Sequence, residues 1–245
     1  GMSLIIMAGI VQALPGMFIT AFNDLVLAGN FSTMAGISLF ILFVIVYVLI
    51  IVGVIFIETA QRRIPIQYSN RTSSSYNAEQ SYIPIKLNSA GVMPVIFASA
   101  FVGIPSLVAQ VINNEAFKNF VNNYINYTTL TGFILYIALI FIFGYVYTLM
   151  ELNPEEMSEN LDKNRSYIPG VKPGEKTAAY LKNVITKLTV VGSLFLIVLA
   201  ALPILMSKIQ HLSSTVTLGG TGLLIVVGVA LETYKQLESS IVSRS

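Results

Sequence analysis

Cysteine is absent, which excludes both a disulfide framework and a thiolate metal site. Histidine occurs once, at His211, so no histidine pair can hold a metal. Charge is scarce: Asp, Glu, Lys and Arg make up 11% of the chain against 55% hydrophobic residues, whereas an average soluble domain is roughly 25% charged. With a mean hydropathy of +0.76, this is the composition of an integral membrane protein. Neither an HExxH metalloprotease motif nor a GxSxG nucleophile elbow is present, and no metal or cofactor is expected. A basic N-terminal stretch leading into a short apolar core and cleavage site is missing too. The chain opens within a turn of one apolar run and closes in VSRS soon after another, so a piece of a longer protein is the expectation.

Spanning a bilayer takes about 20 apolar residues, and on that measure the sequence predicts six spans, over 2–22, 34–57, 88–112, 129–150, 184–206 and 221–237. None carries a charge deep inside, and Glu232 and Lys235 sit near the end of the last, where long side chains reach the headgroups. Ion-coupled transporters and proton relays use buried charges, so a secondary transporter with broken helices is a rival reading that this absence disfavours. An intramembrane protease would need a matched nucleophile or metal set, and the polar residues offer none.

The basic residues are one-sided. Arg62, Arg63, Arg71 and Lys86 fall in the connection 58–87, and Lys163, Arg165, Lys172, Lys176, Lys182 and Lys187 in and just after 151–183. With Lys235 and Arg244 these are all but two of the 14 basic residues; Lys118 and Lys208 are left for the other side. The excess predicts that both long connections, and both ends of the chain, are cytoplasmic. The charges either only fix orientation or also dock a large anionic or acidic partner, and both loops are longer than a bundle requires.

In the first loop, IPIQY and YIPIK flank a polar tip, the pattern of a hairpin-like projection. In the second, Asn153 is placed to cap a short helix with Pro154 at its first position and Glu155 and Glu156 in its first turn, which YIPGVKPGE then breaks. GGTG at 219–222 lacks the Lys-Ser or Lys-Thr of a phosphate loop and reads as a tight turn entering a closely packed helix. The run 88–112 holds Gly91, Pro94, Gly103 and Pro105, helix-weakening residues that lipid tolerates only where protein or a water-filled cavity covers the fault.

Four blocks resemble the SecY family, the central subunits of protein-conducting translocons: QRRIPIQY at 61–68, GVMPVIFAS at 91–99, NPEEMSENL with YIPGVKPGE over 153–175, and GGTGLLIVVGVALETYKQLES at 219–239. The resemblance implies an all-α, polytopic membrane helix bundle, part of a ten-span channel of two inverted halves. Residues 1–33 would be the last span and outer hinge loop of the first half, and 34–245 the second half with five spans. The implied function is translocation of unfolded secretory polypeptides across the cytoplasmic membrane of a bacterium and release of membrane segments through a lateral gate, with no enzymatic activity. An accessory translocon of narrow substrate range belongs to the same class.

Carried over residue by residue, the resemblance implies an apolar pore ring of Met2, Ile6, Ile96 and Ile225, with Met2 standing where isoleucine is usual. Pro94, Ser99 and Ile104 would lie along the lateral gate. Arg62, Arg63, Arg71, Lys86, Lys163, Arg165, Lys172 and Lys176 would bind cytoplasmic partners, the ribosome and the SecA motor ATPase. SecE and SecG are the implied membrane subunits, and signal sequences, nascent polypeptide and lipid the remaining contacts. The first loop departs at its tip, where Thr72, Ser73, Ser74 and Ser75 replace basic residues, and Lys172 stands in place of arginine.

Overall fold

The computed structural model describes residues 2–29, 31–69, 81–87, 91–126, 128–212 and 214–244, with the side chains of 2, 3 and 214–221 outside that description. Among the described residues six long helices form: α1 (Met2–Phe22), α2 (Thr33–Thr59), α3 (Met93–Val111), α5 (Leu130–Glu151), α7 (Glu175–Ile209) and α8 (Ser214–Val242). Short helices α4 (Glu115–Phe120) and α6 (Pro154–Lys163) lie in connections, and π-helical turns continue α1 over Asn23–Leu27 and α4 over Val121–Ile125. α1, α2, α3, α5 and α7 are each long and apolar enough to cross a membrane, which makes this a multi-pass membrane protein. α8 is the sixth long helix where the sequence predicts a sixth span.

α2 illustrates how a uniformly apolar helix finds its inner face. Phe43, Tyr47, Ile50, Val54 and Ile57 are buried and recur every three or four residues, so they form one stripe. Ile41, Val48, Val52 and Phe56, between them, are more than half exposed and face outward. Against the stripe, the Phe43 and Tyr47 rings approach to 4.5 Å and Phe18 of α1 meets them edge-on at 6.0 and 6.1 Å. α2 packs on α7 and α8, α8 on α1, and α5 on both α3 and α7.

Inside lipid, apolar side chains gain nothing by leaving one apolar medium for another, so close packing holds such helices together. Gly222 and Gly228 of α8 serve that end. A Cβ on Gly222 would sit 2.6 Å from Ile10 Cγ2 of α1, and one on Gly228 would overlap the Val92 side chain at the start of α3. The expected turn at 219–222 does not form: this stretch is helical, inside α8, because nothing in its backbone requires a break. The expected close packing is what Gly222 provides.

The span expected from residue 88 begins later. Gly91 has φ +65°, outside the helical region, and α3 starts at Met93. Pro94 therefore lies in the first turn, where its missing N–H has no intrahelical partner to lose, and is no fault in the helix; Pro105 is the proline inside it. α7 starts well before residue 184, at Glu175, and its 35 residues extend about 1.5 Å each, beyond a hydrocarbon core of about 30 Å. Its first turns leave the membrane bundle and carry a second core.

That second core joins the two basic loops, which the sequence treats as separate projections. β1 (Gln61–Pro65) and β3 (Tyr82–Lys86) pair antiparallel, with Ile64 opposite Ile83. β2 (Gln67–Tyr68) pairs with β4 (Ser166–Tyr167) of the second loop. Ile64 and Ile85 are buried with Leu161 of α6, Ile168, and Leu181, Val184 and Ile185 of α7. α6 is the short helix expected at NPEEM: the Asn153 side chain accepts the Glu155 N–H at 3.1 Å. α4, capped by Asn114, is not foreshadowed in the sequence reading.

Candidate functional site

The positions that the resemblance assigns to an apolar ring fall on three helices, α1, α3 and α8. Ile10 of α1 meets Gly222 of α8, and Val92, ahead of α3, meets Gly228. Ile6 lies one turn before Ile10 on α1, Ile96 one turn after Val92 on α3, and Ile225 between Gly222 and Gly228 on α8. Ile225 is buried at 5% exposure, and Ile6 and Ile96 are partly buried against the same apolar cluster. The side chain of Met2 lies outside the described residues.

The seam residues diverge. Pro94 is buried, with Cγ 3.8 Å from where a Cβ on Gly144 of α5 would stand. The Ser99 hydroxyl lies 3.4 Å from the Tyr136 hydroxyl, so it faces α5. Ile104 is 58% exposed on the outer side of α3.

On the basic side, pairing in β1 and β3 puts Arg63, Tyr82 and Lys86 on the hairpin face opposite Ile64 and Ile85. Arg63 stacks its guanidinium 4.6 Å above the Tyr82 ring. Arg62, Arg63, Lys86, Lys163, Arg165, Lys172 and Lys176 are all exposed, while Arg71 lies outside the described residues. Lys163 pairs with Glu159 at 3.8 Å, both exposed, an interaction worth little in water. Short polar bonds fix the loop that presents the others. Tyr167 donates to Gln67 Oε1 at 2.9 Å, Ser158 to the Gly174 carbonyl at 2.8 Å, and Thr177 to the Lys172 carbonyl at 2.9 Å. The charges thus sit on one ordered, doubly paired platform.

The SecY family model matches residues 1–234. The chain belongs to the SecY family. Protein translocase subunits SecY of Staphylococcus carnosus and of Staphylococcus aureus (strain NCTC 8325 / PS 47) are 42% and 40% identical to it, over 98% of this chain and 56% of each relative. The chain therefore spans a little over half the length of these curated relatives. Two solved structures share its fold at 20% identity. One, described as showing that the SecY plug domain stabilises the closed state of the translocation channel, has a TM-score of 0.63 and is matched over 99% of this chain and 60% of its own. The other, described as a protein-conducting channel, has a TM-score of 0.62, over 99% and 59%.

In this SecY-family chain one further cluster stands out that no sequence motif marks. Glu58, at the end of α2, is only 7% exposed. Its carbonyl accepts from Lys235 Nζ of α8 at 2.5 Å. Its carboxylate lies within electrostatic reach of Lys235, Lys86 and Glu232, and beside the position a Cβ on Gly91 would take, 3.9 Å away. The hairpin base, the entry to α3 and the end of α8 thus meet at one buried acid. In the sequence Glu58 is simply the first charge after an apolar run, and only folding brings Lys86 and Lys235 to it.

Proposed function

We propose that this chain forms the second-half wall of a protein-conducting channel in the cytoplasmic membrane, with both its ends on the cytoplasmic side. Unfolded polypeptide passes a constriction to which Ile6, Ile96 and Ile225, with Met2, contribute, and membrane segments leave beside α3. The observation that carries this reading is the membership of the SecY family, supported by the close approach of Ile10 to Gly222 and of Val92 to Gly228, which brings α1 and the start of α3 against α8 on either side of Ile225. An apolar ring disfavours ions, which would have to shed water, and gives a sliding chain no fixed polar partner. Pro94, Ser99 and Ile104 belong to the moving side of the gate.

The work comes from outside the chain, from a SecA-type motor or a translating ribosome docked on the basic platform, with SecE and SecG as membrane subunits. The chain itself catalyses nothing. The test is a stalled secretory polypeptide in the full channel with a photocrosslinking residue at Ile96 or Ile225. Adducts to the stalled chain at both positions are expected, and adducts at neither would refute the pore assignment. For the platform, replacing Arg62, Lys172 and Lys176 together by Glu should weaken motor binding at least tenfold at low salt, with a smaller deficit at high salt. Binding that is unchanged at low salt would show that these charges only set orientation.

A further inference from the structure

The face away from the basic platform holds few cations, only Lys118 and Lys208 among the residues of the outer connections. Lys208 and the single histidine, His211, nevertheless line one cavity of about 490 Å³ between the start of α5 and the end of α7. The wall below them is apolar: Leu130 and Phe133 come from α5 and Leu205 from α7. Leu130 and Leu205, at 70% and 45% exposure, open toward the surroundings of the bundle. Ser207 also lines the cavity; it is 6% exposed, and its hydroxyl has no hydrogen-bond partner among the described residues.

We propose that this cavity binds an acidic phospholipid of the outer leaflet, its phosphate held by Lys208 and His211 at the mouth. The acyl chain lies along Leu205 and Leu130. Three features select this occupant over others. Lys208 and His211 stand at the end of one membrane helix, α7, beside the start of α5, where headgroups are met. The groove continues from a polar mouth into an apolar floor, as an amphipathic ligand requires. Lys208 is the basic side chain at the mouth of the groove, and its positive charge favours a net negative headgroup over a zwitterionic one. The site is separate from the ring and the platform, and its place in the outer leaflet rests on the orientation proposed above.

The experiment is native mass spectrometry of the intact protein released from detergent with phosphatidylglycerol or phosphatidylcholine. Retention of phosphatidylglycerol above phosphatidylcholine is expected. Lys208→Ala should lower that occupancy roughly fivefold, and adding His211→Ala should remove the preference. Both side chains are exposed, so neither change threatens folding. Equal retention of the two lipids, or an unchanged preference in the double variant, would overturn the proposal. Loss of the bound lipid on adding excess inorganic phosphate would mark a free-phosphate site and overturn it too. In native membranes, a photocrosslinking residue in place of Leu205 should give a lipid adduct; an adduct to protein would mean that a polypeptide segment fills the groove.

Discussion

Among single residues, the helix contacts of α8 depend on hydrogen atoms standing where other residues have a methyl group. Gly222→Ala and Gly228→Ala each force a Cβ into a neighbouring side chain, Ile10 or Val92. Each should cost about 1–3 kcal/mol, read as a lower midpoint of thermal unfolding in detergent. Gly9→Ala in α1 is the control: nothing stands within 4 Å of its added Cβ, so only helix propensity acts and the midpoint should stay or rise. Equal losses at all three sites would mean that α8 does not approach α1 and α3 as described. Pro94 teaches a similar lesson about position. At the first turn of α3 it leaves the hydrogen-bond ladder intact, so Pro94→Ala should keep helix content by circular dichroism and act only through its packing near Gly144.

At the level of elements, the two basic loops should behave as one cooperative unit. They share an aqueous-side core, where the hydrophobic effect acts in full, unlike the lipid-facing bundle. Ile64→Ala removes a side chain that is 2% exposed and should cost about 2–5 kcal/mol locally. Hydrogen exchange is the measurement: protection should fall in α6 and the first turns of α7 as well as in the hairpin. Loss confined to the hairpin would mean that the β2 and β4 pairing does not couple the loops. Glu58 links this unit to the bundle, since Lys235 of α8 donates to its carbonyl and Lys86 of β3 lies near its carboxylate. Lys235→Met keeps most of the side chain's length and removes the donor. It should raise exchange at the hairpin base and the start of α3 together, and an effect limited to α8 would leave this junction as local packing.

For the molecule as a whole, the chain matches a little over half of its curated relatives and about three fifths of the solved channels. The pore wall proposed for α1, α3 and α8 is one side of an enclosure. Vesicles holding this chain alone should therefore move no secretory polypeptide above background, and robust transport into them would contradict the proposed architecture. Reconstitution beside the complementary half of a relative is the matching positive test.

The amino-acid sequence by itself determined the membrane class, the cap of α6 and the family. Each depends on composition or local spacing: apolar length, an Asn-Pro-Glu-Glu start, four short blocks. Local chemistry also predicted extended flanks in the first loop, because the β-prone residues and bracketing prolines are contiguous. Tertiary structure alone decided what those flanks pair with, since β2 meets β4 across about 100 residues of chain and no local signal encodes such a partner. It also decided that residues 219–222 continue a helix, because the sequence cannot say whether a glycine is there for a turn or for a close neighbour. The same reason hid the Glu58 junction and the Lys208 cavity. Each is made from residues unremarkable alone, and burial and proximity, which give them their chemistry, exist only once the helices have packed.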